Sequence, residues 1–309
     1  MEHYTRLDEQ EIITALSQFN IHNIMSFELL HGGSENTNYL VKTGNRKYVL
    51  SICEQKTLEQ TKHLADLLDH LEKNQFKTSK IVFTADQESA VSYKGKPIMV
   101  KEYLEGKIVQ DLSPHALSLI GKELAKLHKI EAPDYLPKQL NYGKEHFPNA
   151  KKNVTDTAFN DWLEMVLAYV SPYLKLDLPR AFIHGDVYWD NVILSEDESS
   201  ANIMDFEEAA YYYRVFDIGM TIIGICAEQK IINFEKAKHL LAGYQSEIQL
   251  SADEIRSLKA FTIYAGASMT FWRHQNFNYV KPDPKMFDHY LGLKVLVDFM
   301  IEQKDDCLS

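Results

Sequence analysis

His184-Gly185-Asp186-Val187-Tyr188-Trp189-Asp190-Asn191, followed after a short gap by Asp205-Phe206-Glu207, is the stretch on which the reading of this chain turns. Between the two pieces lie the apolar runs 192–194 and 201–204, separated by the polar residues 195–200. Two apolar runs around a Ser/Glu/Asp-rich connection predict a β-hairpin. If its strands pair symmetrically about the turn, residue 194 faces 201 and residue 191 faces 204. Asn191 and Asp205 then emerge at one end of the hairpin, beside Asp186 in the preceding loop. One carboxylate near two oxygen ligands suits magnesium-dependent phosphoryl transfer, in which the carboxylate takes a hydroxyl proton while an Asn and a second Asp hold the metal.

Working outward, a first helix is expected at about 8–19, then strands at 24–31, 38–42 and 48–52, with Gly44-Asn45-Arg46 turning the chain between the last two. Thr57 and Gln60 have capping-box spacing and open a helix whose stripe is Leu58, Leu64, Leu67, Leu68 and Leu71. Further strands are expected at 81–84, 90–93 and 97–103. From Ser113, an N-cap followed by Pro114, the pattern turns helical. Helices are expected at 156–174, 214–228, 233–248, 252–275 (opened by the Ser251/Glu254 capping box) and 284–303. The prediction is an α+β chain: a small β-rich lobe over 1–103 and a larger, mainly helical lobe over 104–309.

The chain has 309 residues, enough for two lobes with a substantial core, and 45% hydrophobic with 25% charged residues is an ordinary globular balance. A net charge of −11 argues against a nucleic-acid-binding surface, which needs basic patches. Cys53, Cys226 and Cys307 are odd in number and widely spaced, and read as reduced thiols rather than disulfides or zinc ligands. The first nine residues hold no apolar signal-peptide core. The longest apolar run, 218–227, is far short of the roughly 20 residues of a membrane span. A cytoplasmic protein without membrane or nucleic-acid partners is expected, as a monomer or a homodimer.

The quoted motif, His184-Gly185-Asp186 with Asn191 and Asp205-Phe206, resembles the kinase-like phosphotransferases of small molecules: aminoglycoside phosphotransferases, the related bacterial homoserine kinases and choline/ethanolamine kinases. The resemblance covers nearly the whole chain. Residues 32–42, Gly-Gly-Ser-Glu-Asn-Thr-Asn-Tyr-Leu-Val-Lys, look most like homoserine kinase, and residues 121–128, Gly-Lys-Glu-Leu-Ala-Lys-Leu-His, resemble the family's first large-lobe helix. Residues 205–219, Asp-Phe-Glu-Glu-Ala-Ala-Tyr-Tyr-Tyr-Arg-Val-Phe-Asp-Ile-Gly, look instead like choline/ethanolamine kinase. The resemblance implies a bilobal protein-kinase-like fold, ATP as phosphoryl donor, Mg²⁺, and a small amino alcohol as acceptor.

By the same carry-over Asp186 is the catalytic base, which orients a weakly nucleophilic alcohol and takes its proton, and Asn191 and Asp205 are the metal ligands. His184, Asp217 and His128 are expected to brace the loop and the helix packing. The 31–38 segment is expected to cap the nucleotide phosphates, with backbone approach at Gly33 (and Gly32) and donors on Ser34, Asn36 and Thr37. Ser51 stands where many kinases carry a strand lysine, and Lys42 or Lys101 is open as its substitute. Glu102 and Leu104 fall where the family's hinge meets adenine. For the acceptor the candidates are Glu207, Tyr188, Asp190, Trp189, Trp272 and Arg273. Glu207 suits an ammonium, and Asp190 stands either near the substrate or as a solvated turn residue. Arg273 suits a carboxylate, while Trp272 with Tyr211–Tyr213 suits a cage for a quaternary ammonium. Homoserine is the first reading. Choline, ethanolamine, an aminoglycoside, or a nucleotide-binding pseudokinase without turnover are the alternatives.

Overall fold

The computed structural model describes residues 5–30, 36–152 and 156–308. The chain divides into two compact units, Met1–Glu105 and Gly106–Ser309.

In the first unit, α1 (Glu9–Ser17) is started by an Asp8/Glu11 capping box. Strands β1 (Ser26–Leu30), β2 (Asn36–Lys42) and β3 (Lys47–Cys53) follow as antiparallel neighbours, with Asn38 opposite Ser51. Helix α2 (Leu58–Lys73) opens on the Thr57/Gln60 capping box that the sequence predicts. Then come β4 (Ile81–Val82), β5 (Val91–Tyr93) and β6 (Lys96–Glu102). Among the described residues they make one antiparallel sheet in the order β1-β2-β3-β6-β4, with β5 on β6. Alternation along each strand sends Tyr39, Val41, Leu50, Ile52, Ile98 and Val100 to one face, where Ile12, Ala15 and Leu16 of α1 close the core. Asn38, Ser51, Met99 and Lys101 lie on the other face.

The second unit is mainly helical. Helix α3 (Pro114–His128) has Ser113 as its N-cap, and α4 (Thr157–Val170) stops before Pro172, which breaks the ladder, with a single 3₁₀ turn at Tyr173–Lys175 beyond it. Two strands that the sequence does not announce follow the same logic of long-range pairing: β7 (Arg180–Ile183) pairs with β10 (Ala210–Tyr213), Ile183 opposite Ala210. Between them lies the expected hairpin, β8 (Val192–Leu194) with β9 (Ala201–Ile203), in the predicted register with Leu194 opposite Ala201.

Helix α5 (Arg214–Ile225) is buried from Val215 to its end, so the apolar run 218–227 is spent on the core. It stops three residues before the sequence reading because the chain turns into a small hairpin, β11 (Ala227–Glu228) with β12 (Ile231–Ile232). Helices α6 (Phe234–Gln245), α7 (Ala252–Gln275) and α8 (His289–Glu302) complete the unit. Helix α8 begins five residues later than the sequence pattern suggests, after a π-turn at Asn276–Val280. Arg214, at the start of α5, grips Glu254 of the α7 capping box through two bonds of 2.5 and 2.8 Å, a buried fork that ties the two central helices together. Among the described residues no helix is long and apolar enough to cross a membrane.

Candidate active site

Strand β7 delivers the chain into the 184–191 loop, whose two ends are pinned by hydrogen bonds. The Asp217 carboxylate, on the first turn of α5, accepts the backbone N–H groups of His184 and Gly185, each at 2.8 Å. His128 Nε2 lies 3.0 Å from the same carboxylate, and its Nδ1 is 2.8 Å from the Tyr244 hydroxyl. Burial pushes the Asp217 carboxyl up, but His128 and the loop N–H groups outweigh this and hold it below its usual range. Gly185 has φ +86°, and a Cβ there would sit 2.7 Å from the Glu208 carbonyl and from the Tyr142 hydroxyl, which itself donates to the Gly185 carbonyl at 2.7 Å. Only glycine fits.

The His184 imidazole bridges the two motif pieces. Its Nδ1 accepts the Asp186 N–H at 3.1 Å, which leaves Nε2–H to donate to the Met204 carbonyl at 3.0 Å. That pairing fixes a neutral tautomer, and burial lowers the ring's pKa in agreement. His184 therefore braces the site and carries no proton through it. The Met204 N–H donates to the Asn191 carbonyl at 3.0 Å, so the register expected from the sequence does set Asn191 beside Asp205. The Asn191 amide nitrogen donates to the Asp186 carbonyl at 2.8 Å and lies 3.4 Å from its carboxylate. Its Oδ1 is left as the end for a cation. Asp205 adopts φ +68°, a left-handed conformation that Asp tolerates better than most residues.

Negative charge accumulates here. Asp186 is half-buried, and its carboxyl is pushed up to about 7, first by burial and then by Asp205 and Asp190, with Arg273 pulling the other way. A carboxyl held partly protonated at neutral pH among carboxylates marks a site short of positive charge. A divalent cation on Asp205 and Asn191 Oδ1 would supply it. Among the described residues no three His, Cys, Asp or Glu side chains gather as a closed metal site. A hard cation with phosphate oxygens and water in its shell would need no more than two such protein oxygens.

Of the residues expected to meet the acceptor, Arg273 places its guanidinium over the Tyr188 ring, 5.9 Å from its centroid. Asp190 is exposed, and Glu207 is half-buried in the turn after Phe206. Trp272 packs edge-on against Phe277. Tyr212 and Tyr213 are engaged elsewhere. Tyr212 meets the Tyr264 hydroxyl at 3.2 Å, and Tyr213 packs on Phe261 with Arg180 over its ring. Residues 261 and 264 are eight to eleven positions before Trp272 on α7, about 12–16 Å along the axis. The expectation of an aromatic cage built from both groups is corrected: strand pairing commits Tyr212 to the core, and Tyr213 is held between Phe261 and Arg180.

In the first unit, Gly33 and Ser34 lie outside the described residues. Asn36 opens β2. Thr37 is fully buried on the α1 side of the sheet, and its hydroxyl donates to Glu54 at 2.6 Å, so it braces the sheet instead of offering a donor beside Ser51. Ser51, on the opposite face, donates to Asn38 Oδ1 at 2.7 Å. Lys101 shares that face, two residues from Ser51's partner Met99, whereas Lys42 lies four residues beyond Asn38 and pairs with Glu28 at 3.5 Å. At the end of β6 the N–H groups of Glu102 and Tyr103 donate to the Lys80 and Lys47 carbonyls, and Leu104 is the next residue out.

Residues 26–246 match the model of the phosphotransferase enzyme family (APH). The chain belongs to that family. A homoserine kinase of Rhizobium meliloti is 24% identical to this phosphotransferase over 289 residues, covering 91% of this chain and 88% of the relative. Among solved structures, the amicoumacin kinase hAmiN in complex with AMP-PNP, Ca²⁺ and Ami superposes with TM-score 0.73 at 16% identity, over 98% of both chains. A choline/ethanolamine kinase family protein of Mesorhizobium loti superposes with TM-score 0.70 at 15% identity, over 97% of this chain and 96% of that one. The fold is therefore the kinase-like one that the motif implies, and the chain is a small-molecule phosphotransferase. Sequence reading did not reach Tyr142, whose hydroxyl orders Gly185, nor Tyr244, which backs His128. Both act across more than forty residues, and no local pattern marks them.

Proposed function

We propose that this phosphotransferase transfers the γ-phosphoryl group of ATP to the hydroxyl of homoserine, giving O-phosphohomoserine. The observation that carries the reading is that, among the described residues, Arg273 is the one cation acting on the Asp186 carboxyl. Arg273 offsets the charge of Asp186 and lies over Tyr188, which follows Asp186 by two residues. Homoserine, ethanolamine and choline each present a hydroxyl near an ammonium, but of the three only homoserine brings a carboxylate for a guanidinium to bind. The relatives named homoserine kinase point the same way.

In this reading Asp186 accepts the proton of the acceptor hydroxyl as its oxygen attacks phosphorus, with the loop held in place by Asp217 and His184. Asp205 and Asn191 hold Mg²⁺, which when bound neutralises charge on the transferred group. Asp190 and Glu207 are the carboxylates offered to the acceptor ammonium. In the first unit, the main chain at Glu102 and Leu104 receives adenine, and Lys101 takes the place of the missing strand lysine, being the cation nearer to Ser51 on its face.

The test is a coupled ADP-release screen of L-homoserine, choline, ethanolamine, hydroxylysine and an aminoglycoside. Homoserine should give the highest kcat/KM. Arg273→Gln should raise the homoserine KM about 10- to 100-fold, the worth of one hydrogen-bonded charge pair, and leave the ATP KM within two-fold. A wild-type preference for choline or ethanolamine, or an unaltered homoserine KM in Arg273→Gln, refutes the reading.

A further inference from the structure

Among the described residues, the buried tyrosine hydroxyls of the second unit are, with one exception, hydrogen-bonded. Tyr142 donates to the Gly185 carbonyl, Tyr244 meets His128, and Tyr212 meets Tyr264, which also accepts the Lys144 N–H. The Tyr188 hydroxyl is closed off from solvent, yet among the described residues it has no hydrogen-bond partner. Buried phenols rarely stay unpaired, because the group gives up its water without a replacement.

The position of this hydroxyl is built in. The Tyr188 N–H donates to the carbonyl of the base Asp186 at 3.1 Å. Beneath the loop, α5 carries Gly224, where a Cβ would come within 2.5 Å of the Val187 carbonyl and 2.9 Å of Tyr188 Cγ. The loop thus rests directly on helix backbone. Over the ring lies the Arg273 guanidinium, while Asp186 and Asp190 are the carboxylates that act on the phenol.

We propose that the Tyr188 hydroxyl is a specificity group for the acceptor, donating a hydrogen bond to the acceptor's carboxylate beside Arg273. The inference rests on the homoserine reading above and adds a second, neutral donor to the one cation. A carboxylate has several lone pairs and no donor, so it satisfies guanidinium and phenol together. An ammonium at the same place would meet the Arg273 charge and be repelled. The pair therefore selects amino alcohols that carry a carboxylate over those that do not, because the latter leave the phenol unpaired in a dry site.

The experiment compares wild type and Tyr188→Phe on L-homoserine and on 3-amino-1-propanol, which is homoserine without its carboxylate, used as substrate or as competitive inhibitor. ATP KM and thermal unfolding are measured in parallel. Tyr188→Phe should lower kcat/KM for homoserine about ten-fold, mainly through KM. Its handling of 3-amino-1-propanol and its ATP KM should stay within two-fold of wild type. Its unfolding temperature without substrates should be unchanged or higher, since the substitution deletes an unpaired polar atom. Wild type active on homoserine with Tyr188→Phe equal to it, or a fall of the same size for both alcohols, overturns this proposal alone. Wild type inactive on homoserine overturns the homoserine reading and this proposal with it.

Discussion

Replacing the base should make the cation-free protein more stable at alkaline pH while abolishing its activity. The Asp186 carboxyl is raised from 3.8 to about 7 by burial and by its carboxylate neighbours. Between about pH 4 and pH 7 the folded state therefore holds a proton that the unfolded chain has released. Stability falls as pH rises through that window, and above it the whole cost stands. A shift of about three pH units at ~1.4 kcal/mol each gives about 4 kcal/mol, which partial exposure of the group reduces to about 2–4 kcal/mol. Asp186→Asn keeps the shape and removes the charge. In a unit of roughly 200 residues, with ~2–4 °C per kcal/mol, its unfolding temperature at pH 8 should exceed that of wild type by about 5–15 °C. At pH 4.5 the two should nearly coincide. The assay is thermal unfolding by circular dichroism in EDTA from pH 4.5 to 8.5, and millimolar Mg²⁺ should narrow the gap. A difference between the two proteins that does not change with pH, or an Asp186→Asn protein less stable at pH 8, would refute the account of charge at this site. Alcohol phosphorylation persisting in Asp186→Asn would refute its role as base.

Asp217→Asn should cost about 3–5 kcal/mol in urea unfolding and lower kcat by about a hundred-fold, because an amide must turn its NH₂ end on at least one of the three donors now bound. Since the Asp217 carboxyl sits below its usual range when folded, its contribution is present above about pH 4 and fades in acid, so the gap to wild type should close there; a constant gap counts against this pairing. Gly185→Ala meets both a φ of +86° and two oxygens at 2.7 Å. It should lose about 2–4 kcal/mol and nearly all turnover; near-wild-type activity would show that the loop relaxes freely.

What the sequence made legible is what local chemistry decides. The capping boxes at Thr57 and Ser251 open their helices where the residue types place them, because a cap is satisfied within three residues. The 192–203 hairpin has a register legible in the sequence, since its two apolar runs are nearly equal and share one turn. From that register alone Asn191, Asp205 and Asp186 came together. The pairing of Arg180–Ile183 with Ala210–Tyr213 was not legible, because four-residue strands separated by an entire hairpin carry no periodic signal of their partner. The role of Tyr212 was lost with it: a tyrosine triplet looks like a ligand cage until the strand is known. Thr37 went astray for a related reason. Its hydroxyl suits a phosphate, but the strand's alternation turns it to the α1 side and onto Glu54, which only the sheet's orientation decides.

The anchoring of the catalytic loop on Asp217 bears on when disorder is given up. Because α3, α5 and α6 hold the loop through His128, Tyr244 and two backbone N–H groups, its entropy is lost once, as the helical unit folds, and is not lost again at each encounter with substrate. If Asp186 is the base, turnover then starts from a carboxylate already aimed. The same wiring makes Tyr244, which reaches Asp217 only through His128, a place where a silent-looking change would be felt as a slower reaction.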